Sequence, residues 1–337
     1  MMFHRRVSSL QKLALSVFAV VAIACGGSGD GPTTPPPSTG EMSTLARGYL
    51  EQIIGIMQAN SIKRLTIDWV SFRSQLLAAV PRAQTITDIE PAIELGLRLI
   101  GDGHSSYRSA AGRFIFVPVR TCRASGALRP TLPPTIGYVK VGAFSGTAEQ
   151  ALAFANTIQS TIRAADSDSL IGWIVDLRGN GGGNMWPMIA GLGPILGEGV
   201  LGFFIDPDGA EVVWSYNSGA SWSGQFAAQR VDNPYRLIKE NPKVAVLTDN
   251  GVASSGEATT IAFRKRANTR SFGVATCGLS TANRGFPLAD GALLNLTVST
   301  MADRAKTSYG DVINPDEVIV DQAQADQRAI AWLRSGT

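Results

Sequence analysis

The sequence is nearly empty of histidine. Two occur in 337 residues, His4 and His104, and His4 falls in a segment that reads as removed on export. His104 is then the one imidazole left for proton transfer near neutral pH. Cysteine is almost as scarce, with three residues, Cys25, Cys122 and Cys277. No Cys/His cluster forms, so no metal and no cofactor is expected. A basic surplus is missing too. The first 24 residues take three of the 30 basic residues (Arg5, Arg6 and Lys12) and no acid, which leaves 27 against 27 acidic ones. That balance argues against a nucleic-acid partner. No Lys/Arg run exceeds Arg264-Lys265-Arg266, which suits the cationic end of a helix. Tandem repeats are absent as well.

What is present is ordinary globular material, 45% hydrophobic and 17% charged, enough for a sizeable core. Residues 1–24 have a basic start and an apolar run too short to span a bilayer comfortably. That is the layout of a secretory signal. Ala22-Ile23-Ala24-Cys25 resembles the bacterial lipobox, which implies a lipid on Cys25, a mature chain starting there, and a membrane as partner. The alternative is a plain signal peptide with an incidental cysteine. Residues 25–40 hold the lipidated cysteine and a Gly/Pro/Ser/Thr-rich stretch, a flexible to semi-extended tether. An exported protein anchored at the bacterial cell envelope, facing the periplasm or exterior, is expected.

Residues 41–100 read as helical, with Leu45, Tyr49, Leu50, Ile53, Ile54 and Met57 on one face, and are expected to form an N-terminal helical cap. Residues 101–337 are expected to form the core. Apolar runs at 136–144, 171–177 and 244–247 read as strands, and 148–164 and 185–196 as helices. Further strands are expected at 114–120, 271–274, 292–300 and 313–320, and a last helix at 323–333. Residues 214–242 read as loop-rich, a candidate flap. Alternating strands and helices argue an α/β fold.

Three stretches carry chemistry. Gly101-Asp102-Gly103-His104-Ser105 puts the imidazole in a glycine-flanked turn. Arg178-Gly179-Asn180-Gly181-Gly182-Gly183-Asn184 lies between a strand and a helix. It lacks the Gly-Lys-Ser/Thr close of a P-loop, and its spacing is not G-x-G-x-x-G. Bare glycine amides at a helix start suit an oxyanion hole, or simply a tight turn. Residues 243–266 run from a strand through Ala253-Ser254-Ser255-Gly256 into a helix. That turn either presents a serine hydroxyl above a sheet or merely caps the helix. A nucleophile, a base and preset donors are together the parts of acyl transfer.

These residues resemble the C-terminal processing (tail-specific) serine peptidases. The resemblance rests on Gly137-Tyr138-Val139-Lys140-Val141 with Phe144, on Asp176-Leu177-Arg178-Gly179-Asn180-Gly181-Gly182-Gly183, and on Ala253-Ser254-Ser255-Gly256-Glu257. Gly101-Asp102-Gly103-His104-Ser105 is similar to the histidine motif of the tricorn-like members. Gly183-Asn184-Met185-Trp186-Pro187-Met188, Thr281-Ala282-Asn283, Phe286-Pro287-Leu288 and Asp290-Gly291-Ala292 look like the nisin resistance branch, membrane-associated enzymes that clip a lanthionine antimicrobial peptide. The resemblance implies a ClpP/crotonase-like ββα core and a serine-type peptidase acting on peptides. It implies Ser254 as nucleophile, His104 as base, and Gly182 with the Ser255 amide as oxyanion hole. Asn184 and Met185 would line the substrate groove.

The sequence departs from the family in three places. Leu279 stands where many members carry a lysine base, so the work falls to His104. The triad glutamate of tricorn-like members has no counterpart near Tyr309, which leaves Glu257 and Asp311 as candidates for a third member. Between His104 and Ile136 there is no room for an inserted regulatory domain. Cys122 and Cys277 either pair or stay as buried thiols. A non-catalytic peptide-binding lipoprotein of the same fold is the competing reading.

Overall fold

The computed structural model describes residues 40–335. The expected signal, Cys25 and tether lie outside the described residues. The chain opens with three helices, α1 (Thr44–Asn60), α2 (Trp69–Ala79) and α3 (Glu90–Ile100). Ser43 and Asp68 cap the first two, each side chain accepting backbone N–H groups of the first turn. Ala46, Tyr49, Leu50, Ile53, Ile54 and Met57 of α1 are buried, the helical spacing expected. Leu45, expected on that face, is 62% exposed, because Ala46 occupies the buried position.

Short strands β1 (Ser106–Arg108) and β2 (Phe114–Phe116) follow, then β3 (Ile136–Lys140), α4 (Ala148–Ala165), β4 (Gly172–Asp176) and α5 (Met185–Leu196). Next come β5 (Gly199–Ile205), β6 (Glu211–Asn217), β7 (Ala220–Ser223) and β8 (Phe226–Arg230), so the expected flap contains a hairpin. The chain continues through β9 (Val244–Thr248), α6 (Ser255–Ala262), β10 (Thr269–Gly273), β11 (Thr281–Pro287) and β12 (Leu293–Asp303). It closes with β13 (Glu317–Val318) and α7 (Gln322–Arg334).

Two sheets form. A parallel sheet has the order β13-β10-β9-β4-β3. The second is antiparallel, β2-β1-β12-β5-β6-β7-β8, with β11 also paired to β12. Strands β3, β4 and β9 are buried on both faces, as continuous apolar runs require. Val139, Val175, Val244 and Val246 face α4, α5 and α6, in a core that Leu201, Trp214 and Met301 of the antiparallel sheet complete. Tyr138, Ile174, Ala245 and Leu247 face α7 through Ala329 and Leu333. Helices α1–α3 pack on Tyr107, Ile115, Leu294 and Leu296 of the antiparallel sheet. The expected mixed α/β class is what the chain adopts.

Candidate active site

Strand β9 ends at Thr248, and α6 begins at Ser255. Between them Ser254 takes φ 52° and ψ −116°, a conformation that side chains rarely adopt and that surrounding structure must hold. Glu257 holds it. Its Oε2 accepts the Ser254 N–H at 2.9 Å and the Leu279 N–H at 2.7 Å. Its Oε1 accepts the Thr276 hydroxyl at 2.5 Å and the Gly278 N–H at 2.8 Å. Burial pushes the Glu257 carboxyl above its ordinary range, and these four donors offset that push only in part. All four partners donate, which suits a carboxylate. Glu257 makes no hydrogen bond to His104 among the described residues. Asp311 pairs instead with Arg120 at 2.7 Å.

The glycine loop leaves β4, which pairs in parallel with β9. The two loops therefore emerge side by side from the same sheet end. Asn180 Oδ1 accepts the Gly182 N–H at 3.1 Å. The Gly182 carbonyl accepts Phe144 N–H, and the Phe144 carbonyl accepts Asn184 N–H at 2.7 Å. Ser255 Oγ donates to the Gly183 carbonyl at 2.6 Å. Gly182 and Gly183 lie at φ 100° and 106°. A Cβ on Gly182 would stand 2.7 Å from Ala253 O and 2.9 Å from Ser254 Cβ, and one on Gly183 would stand 2.0 Å from Phe144 O. Only glycine allows this approach. With the Gly182 amide committed to Asn180, the Gly183 and Ser255 amides are the ones beside Ser254 that donate to no protein acceptor among the described residues.

His104 sits in the turn after α3, which ends on the left-handed Gly101. Asp102 Oδ1 accepts the His104 and Ser105 N–H groups at 2.9 and 2.8 Å, and Asp102 Oδ2 accepts the Ser105 hydroxyl at 2.5 Å. The ring Nδ1 lies 2.8 Å from Thr281 Oγ1. Asn283 Nδ2 donates to the His104 carbonyl at 3.0 Å, and the Thr297 hydroxyl donates to Asn283. Burial lowers the imidazole to about 4, against a weaker opposing pull from Asp102. His104 and Ser254 line one cleft of about 940 Å³. No hydrogen bond joins them directly among the described residues. Asn184, Met185, Trp186, Phe116 and Phe204 are among its walls. Asn184 also caps α5, its Oδ1 accepting the Trp186 N–H.

Asp176 and Arg178 are structural. Arg178 grips both Asp176 oxygens, Nε to Oδ1 at 2.9 Å and Nη2 to Oδ2 at 2.8 Å, and its Nη1 reaches Asp326 at 3.0 Å. Burial raises the Asp176 carboxyl, but the Arg178 fork outweighs it and holds it below the ordinary range. Cys122 and Cys277 form a disulfide. It ties the 117–128 segment beside Gly278 and Leu279. Sequence patterns assign no role to Thr276, Thr281 or Asn283. Thr281 and Asn283 stand inside a motif of the resembling branch, with nothing in their spacing to mark them as partners of His104.

The same elements recur in known proteins. The family model for peptidase family S41 matches residues 135–319. The nisin-resistance protein of Lactococcus lactis subsp. lactis is 28% identical over 274 residues, 80% of this chain and 80% of that protein. The chloroplastic carboxyl-terminal-processing peptidase 2 of Arabidopsis thaliana is 25% identical over 63% of this chain, which spans 37% of that protein. Among solved structures, a lipoprotein from Streptococcus agalactiae is similar at TM-score 0.67 and 23% identity, covering 87% of this chain and 97% of that one. The photosystem II D1 C-terminal processing protease is similar at TM-score 0.54 and 14% identity, over 82% and 94%. The matched segment runs from the start of β3 to just past β13 and takes in the glycine loop and the Ser254 turn: the chain belongs to peptidase family S41.

Proposed function

We propose that this S41 protein is a serine peptidase that cleaves peptides at the bacterial cell envelope through an acyl-enzyme. One observation carries the reading: Ser254, in strained backbone, shares a cleft with His104 beside two uncommitted amides. The Ser254 hydroxyl adds to the scissile carbonyl carbon while its proton passes to His104 Nε2. The resulting oxyanion takes hydrogen bonds from the Ser255 amide and the glycine loop. Gly183 is the loop donor in this arrangement, in place of Gly182, whose amide serves Asn180. The carbon–nitrogen bond then breaks, and the leaving amine takes the proton from His104. Water repeats the sequence on the ester, releasing the acid and restoring Ser254. Such base–nucleophile pairs tighten when substrate binds.

Glu257 acts in this scheme by fixing the Ser254 backbone. Asn184 and Met185 contact the peptide along the cleft wall. The likeness to the nisin-resistance protein supports an antimicrobial peptide as substrate. The similar S. agalactiae lipoprotein supports a lipid anchor at Cys25 and an envelope location. Metabolic labelling with a fatty-acid analogue, lost in Cys25→Ala, tests the anchor.

A fluorophosphonate probe should label the protein, and Ser254→Ala should remove both the label and the cleavage products of a peptide-library digest. A folded Ser254→Ala protein that still cut peptides would sink the reading. A wild-type protein that bound peptides without cutting them would favour a non-catalytic lipoprotein.

A further inference from the structure

We infer that Thr281 orients the His104 imidazole, standing where a serine–histidine–acid triad carries its carboxylate. The inference rests on the peptidase reading for its catalytic meaning, but the contact itself does not. The Nδ1–Oγ1 separation is 2.8 Å. Every nearby acid is engaged elsewhere. Asp102, on the same loop, accepts two backbone N–H groups and the Ser105 hydroxyl. Glu257, from α6, accepts four donors, and Asp311 pairs with Arg120. Arg284, from β11, is the other charged residue lining the cleft, and it hydrogen-bonds Asn60.

The hold is rigid. Thr281 opens β11 and pairs with Thr300 of β12. Asn283, two residues on, donates its Nδ2–H to the His104 carbonyl. One strand thus holds both the ring and the main chain of His104. In the tautomer this role requires, Nδ1–H donates to Thr281 Oγ1, which leaves the Nε2 lone pair for the Ser254 proton. When that proton arrives, the imidazolium keeps its Nδ1–H, and Thr281 gains and loses nothing. A hydroxyl orients the ring as a carboxylate does, but adds no charge to stabilise imidazolium. The lowered proton affinity from burial is consequently left in place.

The test is NMR titration of the His104 ring in the full chain carrying His4→Gln, read beside the pH dependence of kcat/KM. Wild type should titrate well below 6.5 with the proton of the neutral ring on Nδ1. Thr281→Val should shift that proton toward Nε2 and cut kcat by about 10- to 100-fold with KM little changed, the loss expected of a misoriented general base. Thr281→Ser should restore both signals relative to the valine variant. Thr281→Asp should raise the midpoint of the ring and the acid limb of the rate together by about one pH unit or more, as an adjacent carboxylate does. An unchanged ring tautomer and rate in Thr281→Val, or an unmoved midpoint in Thr281→Asp, would overturn the inference. If the valine variant does not fold, the aspartate midpoint decides alone. The ring titration needs no turnover, so failure of the peptidase reading in Ser254→Ala is separable from failure here.

Discussion

The Glu257 carboxylate and the Ser254 backbone N–H, one helical turn apart, share a 2.9 Å hydrogen bond that fixes the strained serine. The same carboxylate binds Thr276, Gly278 and Leu279, which belong to the stretch between β10 and β11. Glu257→Gln keeps the size and removes the charge, and leaves an amide with one oxygen facing three backbone N–H groups, which can only donate, and the Thr276 hydroxyl. It should destabilise the fold by about 2–4 kcal/mol, the scale of a buried charged hydrogen bond left unmade. Turnover per folded molecule should fall too. Urea unfolding with parallel active-site titration measures both, and wild-type values in each would remove the positioning role.

The three consecutive glycines should behave differently. A Cβ added to Gly181 meets no atom within 4 Å, and its φ is not left-handed, whereas Gly182 and Gly183 present both obstacles. Gly181→Ala should therefore turn over near the wild-type rate. Gly183→Ala must displace the Phe144 carbonyl, and with it the amide proposed to meet the oxyanion. Losing one such donor costs on the order of 10²–10³ in turnover. Equal rates in all three alanine variants would leave only a tight turn.

His104 carries a pH signature in stability. Its proton affinity is lowered in the fold, to about 4 from 6.5. Between those values the unfolded chain binds the proton and the folded chain does not, so this group's contribution falls as pH drops through that window. His104→Gln lacks this contribution. The melting temperature of the variant should gain on wild type as pH falls from about 7 to about 4.5. Parallel curves would mean that the imidazole is not held neutral.

The Cys122–Cys277 disulfide closes a separation of 155 residues. Removing a native disulfide typically costs about 2–5 kcal/mol. Cys122→Ser should melt lower than wild type by that scale and be insensitive to reductant, while wild type should fall to meet it once reduced. Activity should weaken with it, because Cys277 adjoins Gly278, a donor to Glu257. A wild-type melting curve unchanged by full reduction would contradict this.

The sequence is legible where burial writes a period. The valines of β3, β4 and β9 and the apolar stripe of α1 announce their elements. The glycine loop and the serine turn are visible because they need residues that fit nowhere else. Strand β11 gives no such sign. Its Thr-Ala-Asn-Arg-Gly-Phe-Pro run has little alternation and ends in proline, and β12 alone makes it a strand. Thr281 is hidden with it. Residues 313–320, expected as a full strand, form strand only at Glu317–Val318, since Pro315 has no N–H to offer and Asp316 accepts from Ser271 and Arg264. Whether the two cysteines pair depends on a long-range approach that no local pattern records.

Ser254 stands on the parallel sheet, whereas His104 hangs from β11 and β12 of the antiparallel one. No backbone ladder crosses between the two sheets among the described residues. Much of the seam is apolar, Leu201, Trp214 and Met301 on one side and Val244, Val246 and Ile261 on the other, while beside the site Glu257 of α6 accepts the Leu279 N–H two residues before Thr281. The spacing of Ser254 from His104 is thus held at one point by the Glu257 bonds and elsewhere by apolar packing, whose strength rises and fades with temperature and cosolvent. If His104 serves Ser254 as proposed, its reach should follow how tightly that core is closed.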